Sequence, residues 1–354
     1  MNKTRQDNLD LYDANVIQTQ PLPAPTELIA EFPVSNELSN FITTGRNELH
    51  NILTGKDDRF VIITGPCSIH DTDAGLDYAR KLKPLVDKYK DKLLVIMRVY
   101  FEKPRTVVGW KGLINDPELD NSFQINKGMK IARKLLLDLA DIGMPSGHEY
   151  LDLISPQYIS DIISWGAIGA RTTESQSHRE LASGLSCPVG FKNGTDGGIQ
   201  IAVDAIKAAS RPHNFLSVTK EGKSAIFSTT GNKDCHIILR GGKNPNYSKK
   251  DVSDVANALK TNDLKPRIMV DASHANSQKD HTKQGIVIKT ISEQIIDGDK
   301  NIIGVMIESN LVEGKQNVDK RSNLKYGQSI TDACIGWEET RELIMVLSNA
   351  MEKR

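Results

Sequence analysis

Basic residues stand at or just after the ends of several short apolar runs. They are Arg98, Lys103, Arg105, Arg171, Lys192 and Arg240. Cationic side chains repel one another unless an anion lies between them, and arginine matches carboxylate and phosphate groups with paired hydrogen bonds. Any one of these residues could be a solvated strand end. Their repetition instead predicts one pocket for a strongly anionic substrate that carries phosphate.

Three further residues at such ends could bind a metal ion. Cys67 follows the first apolar run, His274 follows the seventh, and Glu308 ends the eighth. A thiolate, an imidazole and a carboxylate suit a divalent ion such as Mn²⁺, Fe²⁺, Co²⁺ or Zn²⁺. A later acid would complete the set, and Asp332 in SITDACIGW is a candidate by its motif, not by its spacing. Each residue alone has a structural alternative; Cys67, for example, could be a small buried side chain.

The apolar runs themselves predict β-strands. They are short and rich in β-branched residues, as strands covered on both faces are. They span residues 60–64, 93–99, 147–152, 166–171, 187–191, 236–240, 267–271 and 302–308. Helical patterns lie between them, which favours a (β/α)8 barrel, with an open doubly wound sheet as the alternative. In a barrel the carboxyl ends of the strands meet on one face, so the residues above would share a site with Glu149 of the third strand.

Helix boundaries can be predicted at several points. Ser35 and Gly55 are expected to cap the two ends of the helix between them. Ser248 and Asp251 have the spacing of a capping box at the start of a later helix. Pro84 lies inside another helical pattern, where it predicts a kink or a break.

Two segments are additional to the strands and helices of a plain (β/α)8 barrel. Residues 1–34 are predicted to form an arm outside the main core, so that residues 1–55 make an N-terminal arm and helix. Residues 56–354 would then form the catalytic barrel. Within it, residues 213–235 predict two strands around Gly222, an inserted hairpin beyond the regular alternation. Such additions often serve regulation or assembly.

The composition excludes several classes of protein. Lys plus Arg and Asp plus Glu both number 45 among 354 residues. The resulting zero net charge argues against nucleic acid or a membrane surface as a partner. No apolar run is long enough to span a membrane, and the N-terminus lacks the apolar core of a signal peptide. The 4 cysteines form no CxxC pair, so no disulfide framework is expected and a cytoplasmic location is the simplest interpretation.

Six stretches closely resemble motifs of the type I 3-deoxy-D-arabino-heptulosonate 7-phosphate (DAHP) synthases. They are GPCSIHD (65–71), MRVYFEKPRTVVGWKGLINDP (97–117), SWGAIGARTTESQ (164–176), PVGFKNGTDG (188–197), HIILRGGKNPNYS (236–248) and YGQSITDACIGWE (326–338). The resemblance covers nearly the whole chain from about residue 30. It implies a (β/α)8 barrel with an N-terminal extension and an inserted hairpin.

The resemblance also implies a transferase that condenses phosphoenolpyruvate with erythrose 4-phosphate and releases phosphate, the first step of the shikimate pathway. It implies that one divalent metal ion is bound by Cys67, His274, Glu308 and Asp332. Mn²⁺ is the first candidate, and Fe²⁺, Co²⁺ and Zn²⁺ are the alternatives. It places phosphoenolpyruvate against Arg98, Lys103, Arg171, Lys192 and Arg240. It places erythrose 4-phosphate against Lys103, Pro104, Arg105 and Thr106.

Three proton-handling roles are hypotheses. Lys103 could touch both substrates and act as the acid toward the aldehyde oxygen. His274 or a metal-bound water is the alternative proton carrier. Glu149 is expected to position the attacking water.

Type I members are commonly inhibited by one aromatic amino acid, so the resemblance implies an effector bound near the hairpin. Its pocket would comprise Pro156, Gln157, Leu181, Leu185, Ser186, Phe215, Ser217 and Phe227. Packing of the hairpin core is the alternative explanation for the apolar members. The sequence is most similar to the phenylalanine-sensitive type, with tyrosine as the alternative effector, and a homo-oligomer, tetramer or dimer, is expected.

Two other functions share some of these residues. A metal-dependent aldolase or phosphohydrolase on the same barrel would use the metal and the phosphate-binding cations without a phosphoenolpyruvate site. A non-catalytic anion-binding module would need no metal ligands.

Overall fold

Eight parallel strands close into a barrel in the computed structural model, which describes residues 12–105, 109–318 and 323–354. The barrel strands are β1 (Phe60–Gly65), β2 (Leu93–Arg98), β3 (Ser146–Glu149), β4 (Trp165–Ile168), β5 (Val189–Lys192), β8 (Cys235–Leu239), β9 (Ile268–Asp271) and β10 (Ile302–Glu308). Their order around the barrel is β1-β10-β9-β8-β5-β4-β3-β2. The predicted barrel is confirmed, and the open doubly wound sheet is excluded.

Helices surround this barrel and follow its strands. They are α1 (Pro25–Glu31), α2 (Asn36–Thr54), α3 (Thr72–Tyr89), α4 (Ile125–Asp141), α5 (Pro156–Ile159), α6 (Gln176–Gly184), α7 (Gln200–Ala209), α8 (Lys249–Thr261), α9 (Gln284–Ile296) and α10 (Trp337–Lys353), with a 3₁₀ turn at His281–Lys283. In the described part of the chain, no helix has both the length and the apolar character needed to cross a membrane.

The predicted helix boundaries are largely confirmed. The Ser35 side chain accepts a hydrogen bond at the start of α2, and Gly55 ends that helix with φ +80°. Ser248 and Asp251 form the capping box of α8. Of the kink or break predicted at Pro84, the break is wrong, because α3 continues through this residue, and the kink stays a prediction. Burial of one apolar face of α3 against the barrel outweighs the hydrogen bond that proline removes.

Helix α2 covers the amino-terminal end of the barrel. Its residues Leu49, Ile52 and Leu53 belong to the same buried cluster as interior side chains of the strands. Arg267, just before β9, donates to the Leu53 carbonyl at 2.9 Å. The opposite, carboxyl end of the strands is therefore left to the loops that carry the reactive residues.

The N-terminal arm packs on the barrel more closely than expected. Leu28 of α1 is only 1% exposed and joins the main core. Arg133 of α4 donates to the Phe32 carbonyl at 3.0 Å. The described part of the arm, residues 12–34, is thus not wholly outside the core, since α1 buries Pro25 and Leu28. The division of the chain at residue 55 stays a prediction.

The inserted hairpin is present. Strands β6 (Asn214–Val218) and β7 (Ser224–Ser228) pair antiparallel, and Gly222 in their turn has φ +74°. Close to the barrel mouth, β11 (Val312–Lys315) and β12 (Gln328–Ser329) form a second two-stranded sheet. The hairpin turn contacts the arm, since the Thr26 amide donates to the Lys220 carbonyl at 2.8 Å.

His236 inside the barrel makes the stability of the fold depend on pH. Its Nε2 accepts a hydrogen bond from Trp165 Nε1 at 2.9 Å, so the ring is neutral. Burial lowers the pKa of His236 to about 4 from its ordinary 6.5. The unfolded chain therefore takes up this proton first as the pH falls, and stability is lost from pH 6.5 down toward 4.

We expect the free energy of unfolding to fall between pH 7 and pH 5 by about 2 kcal/mol more in the natural protein than in His236→Gln. The glutamine keeps an acceptor for Trp165 and does not titrate. Urea denaturation of both proteins at the two pH values measures the difference. Equal losses in both proteins would show that His236 is not the group responsible.

Candidate active site

A thiol and two carboxylates meet at the mouth of the barrel. Cys67 follows β1, Glu308 ends β10, and Asp332 lies beyond β12; their ligand atoms are all within 4.8 Å of one another. Cys67 and Glu308 are buried, whereas the Asp332 side chain is 64% exposed. The Cys67 thiol donates to Asp332 Oδ2 at 3.3 Å. The structure thus brings together three of the four predicted metal ligands.

The fourth predicted ligand, His274, is not part of that group. Its Nδ1 lies 2.7 Å from Ser273 Oγ and 2.9 Å from Asp271 Oδ2. The residue has φ +57°, a conformation that non-glycine residues adopt at a cost. Burial raises the pKa of Asp332, but Lys103 and then the nearby His274 ring outweigh it and hold that pKa below its usual value.

The thiol–carboxylate group fits a divalent cation. Glu308 Oε1 is buried without a hydrogen-bond partner, although Arg98 Nη2 approaches it to 2.9 Å. Burial, and then the Glu308 charge, raise the pKa of the Cys67 thiol to about 11. A bound cation would satisfy the carboxylate oxygen and stabilise the thiolate. Cys67, Glu308 and Asp332 could therefore hold a metal ion, with His274 beside them.

Four of the predicted cations line the same mouth. Arg98, Lys103 and Lys192 are buried, at 1%, 8% and 3% exposure, whereas Arg240 is only partly covered. Lys103 Nζ lies 3.0 Å from Cys67 Sγ, and Lys192 Nζ lies 3.0 Å from Asp271 Oδ2. Glu308 and Asp271 offset the charges of Arg98 and Lys192, and an anion at the mouth would offset those of Lys103 and Arg240. The cluster is therefore built to receive anions.

The two remaining cationic candidates for substrate binding, Arg171 and Arg105, are more exposed to solvent than these four cations. Arg171 is exposed and donates to the Pro104 carbonyl at 3.1 Å. Arg105 is also exposed and donates to the Trp110 carbonyl at 2.8 Å. Thr106 lies outside the described residues. Arg171 thus bridges to the loop that carries Lys103 and Arg105.

Two buried groups keep their charges within this cluster. Burial raises the pKa of Glu149, but Lys192 and Lys103 outweigh it and hold that pKa below its usual value. Burial lowers the pKa of Lys103, but Cys67 and Glu308 outweigh it and raise that pKa above its usual value. The site therefore presents a carboxylate and an ammonium near neutral pH.

Tyr100 is a site residue that the sequence analysis did not identify. The Arg98 guanidinium carbon lies 3.6 Å from the centre of its ring, and both side chains are buried. Among the described residues, none is a hydrogen-bond partner of the Tyr100 hydroxyl. The two-residue spacing in an extended chain puts Arg98 and Tyr100 on the same side, and that signal could have identified it.

The ring of Tyr100 is expected to hold Arg98 in place. We expect Tyr100→Leu to raise the KM for phosphoenolpyruvate, the substrate that the resemblance implies for Arg98, about 30-fold, the size of a desolvated cation–π contact. Tyr100→Phe, which keeps the ring, should change this KM less than about threefold. Steady-state kinetics of both variants measures the effect. An equal rise in the two would assign the role to the hydroxyl.

A cavity of about 330 Å³ lies between the hairpin and α6. Leu181, Phe215 and Ser217 of the predicted effector pocket line it, together with Leu153 and Ile154 of the loop after β3. The other five predicted residues do not line it; they are Pro156, Gln157, Leu185, Ser186 and Phe227. Phe227 packs against Phe215, with ring centres 6.0 Å apart. The structure thus brings part of the predicted pocket together around a real cavity.

These features define a barrel enzyme with an anion-binding site at the carboxyl ends of its strands. A family model described as the DAHP synthetase I family matches residues 31–345. The chain therefore belongs to the DAHP synthetase I family, and the resemblance found in the sequence is confirmed.

Curated relatives and a solved structure agree with this assignment. The chain is 58% identical over 342 residues to the Phe-sensitive phospho-2-dehydro-3-deoxyheptonate aldolase of Escherichia coli (strain K12), covering 97% of this chain and 98% of that protein. It is 50% identical over 345 residues to the Tyr-sensitive enzyme of the same strain, covering 97% and 96%. The aldolase structure from Francisella tularensis SCHU S4 matches with a TM-score of 0.94 and 52% identity, covering 96% of this chain and 99% of that one.

Proposed function

We propose that this chain condenses phosphoenolpyruvate with erythrose 4-phosphate to give DAHP and phosphate, in the cytoplasm. One observation supports the proposal most directly. In this chain, a member of the family, buried cations and a thiol–carboxylate group lie together at the same mouth of the barrel. Both substrates are multiply anionic, which gives the otherwise repelling cations their counter-charges.

The cations orient the two substrates. Phosphoenolpyruvate lies against Arg98, Lys103, Arg171, Lys192 and Arg240. Erythrose 4-phosphate lies against Lys103, Pro104, Arg105 and Thr106, with Arg105 on its phosphate. By offsetting the negative charges, these residues bring the reacting carbons together and lower the entropic cost of their encounter.

Two side chains of the site handle protons. As C3 of phosphoenolpyruvate bonds to the aldehyde carbon, Lys103 gives a proton to the aldehyde oxygen. The carboxylate of Glu149 holds the water that adds at C2. As the C–O bond to phosphate then breaks, one proton of that water leaves with the phosphate and the other restores the Lys103 ammonium. Cys67, His274, Glu308 and Asp332 would hold a divalent metal ion, which would supply Lewis acidity toward the aldehyde. Mn²⁺ is the proposed ion, with Fe²⁺, Co²⁺ and Zn²⁺ as alternatives.

One assay tests this function against the alternatives. The chain is mixed with both substrates and each metal ion in turn, and loss of phosphoenolpyruvate and release of phosphate are followed. Consumption that requires both substrates supports the synthase. Phosphate release from one substrate alone would favour a phosphohydrolase. No turnover with any of the four ions would favour an anion-binding module.

We also propose that phenylalanine inhibits the enzyme from the hairpin cavity. The apolar side chains of Leu181 and Phe215 suit an aromatic ring, and Ser217 can contact a polar group. We expect phenylalanine to inhibit the condensation at concentrations at least tenfold lower than tyrosine or tryptophan. Phe215→Ala should raise the phenylalanine concentration needed for half inhibition about tenfold. Inhibition curves with the three amino acids measure this. Stronger inhibition by tyrosine would select the alternative effector.

The hairpin also supports a homo-oligomer. Its cross-strand pair Leu216 and Ile226 is exposed by 86% and 74%, an apolar surface that a second copy could bury. We propose a tetramer, with a dimer as the alternative, and light scattering of the purified chain distinguishes the two.

A further inference from the structure

Glu102 is a buried acid that has no part in the mechanism above. It precedes Lys103 on the loop after β2, and only 3% of it is exposed. Ser155 Oγ donates to its Oε2 at 3.1 Å. The neighbouring Lys103 side chain contacts Cys67 instead. Lys103 therefore contacts the reaction site, whereas the preceding residue, Glu102, contacts the loop after β3.

His148 of β3 approaches the same carboxylate oxygen. Its Nδ1 lies 2.8 Å from the Val99 carbonyl, which can only accept, so Nδ1 carries a proton. Its Nε2 lies 3.7 Å from Glu102 Oε2 and has no hydrogen-bond partner. The ring is fully buried. His148 thus holds the β2 loop at one point, the Val99 carbonyl, since 3.7 Å is too long for a hydrogen bond to Glu102.

Ser155 belongs to a segment that separates two cavities. Leu153 and Ile154 line the hairpin cavity of about 330 Å³. Ile154, Ser155 and Glu102 line a second cavity of about 550 Å³. Asp152 Oδ1 accepts from the amides of residues 154 and 155 at 2.7 Å each, so one side chain ties these two residues into a single turn. A displacement of Leu153 or Ile154 would therefore also displace the Ser155 hydroxyl.

We propose that Glu102 is a positioning residue, which through its hydrogen bond with Ser155 fixes the loop that carries Lys103 and Arg105. The same contact makes that loop responsive to occupancy of the hairpin cavity. This inference deepens the proposed function and rests on it. Erythrose 4-phosphate depends on the loop, whereas Arg98, Lys192 and Arg240 hold phosphoenolpyruvate from strand ends. Loss of the Glu102 contact should therefore weaken the binding of erythrose 4-phosphate more than the binding of phosphoenolpyruvate.

Ser155→Ala tests the contact. We expect the KM for erythrose 4-phosphate to rise about tenfold, as for a lost hydrogen bond to a charged group. The KM for phosphoenolpyruvate should change less than about twofold. The phenylalanine concentration for half inhibition should rise about tenfold. The dissociation constant of phenylalanine, measured by calorimetry on the full chain, should change less than about threefold. Ser155→Thr, which keeps the hydroxyl, should restore natural values.

Ser164→Ala is the matched control, because Ser164 is 1% exposed and its hydroxyl has no partner. The proposal is overturned if Ser155→Ala matches this control in the KM for erythrose 4-phosphate. It is also overturned if both KM values rise equally, or if phenylalanine binding itself is lost. A natural protein that does not consume the two substrates together would instead refute the proposed function.

Discussion

Replacing Cys67 with alanine is expected to lower the rate of condensation at least about 10³-fold and to weaken Mn²⁺ binding at least about 100-fold. The thiol lies within 4.8 Å of the ligand atoms of Glu308 and Asp332 and is fully buried. Its loss would leave two carboxylates of the group without their sulfur partner. Calorimetric titration of chelator-treated protein with Mn²⁺ measures the affinity, and the two-substrate assay measures the rate.

Cys334→Ala is the control for this prediction. Cys334 is equally buried, and its Sγ lies 3.6 Å from the Asp332 carbonyl, but it is not part of the ligand group. We expect it to keep Mn²⁺ affinity and turnover within about threefold of the natural values. If Cys67→Ala also kept them, the metal proposal would be wrong. Because binding displaces the proton of a thiol whose pKa is about 11, affinity should also fall as pH is lowered.

The barrel could be predicted from sequence because its strands are buried on both faces. In β1, β2 and β10 every residue is buried, so apolar runs mark them clearly. Strands β3 and β4 span four residues each and are marked less clearly. Pro84 was misjudged because local propensity carries no information about the tertiary contacts that hold α3.

The candidate site could be predicted where a side chain follows directly from a strand. Arg98, Lys192 and Glu308 each end a strand, and convergence at the barrel mouth brings them together. Asp332 lies beyond β12, after the last strand of the barrel, so no periodicity indicates that it returns to Cys67. Glu102 and Ser155 are likewise 53 residues apart on separate loops, and their contact is visible only in three dimensions.

Replacing Lys103 with methionine is expected to lower kcat about 10³-fold, within the range that a positioned proton donor contributes. Methionine preserves much of the side-chain length and removes the charge. The contact of Nζ with Cys67 Sγ at 3.0 Å puts this ammonium next to the ligand group, and its raised pKa keeps it protonated. Phosphoenolpyruvate affinity should fall less than about tenfold, because Arg98, Lys192 and Arg240 remain. Steady-state kinetics and calorimetry separate the two quantities.

Lys111→Met provides the control, because Lys111 lies near Lys103 on the same loop with an exposed side chain, and its carbonyl accepts from the Lys103 amide at 2.9 Å. It should leave kcat within about twofold. A Lys103→Met variant with near-normal kcat would refute the acid role and leave His274 or a metal-bound water as the proton carrier. A variant that lost only phosphoenolpyruvate affinity would restrict Lys103 to substrate binding.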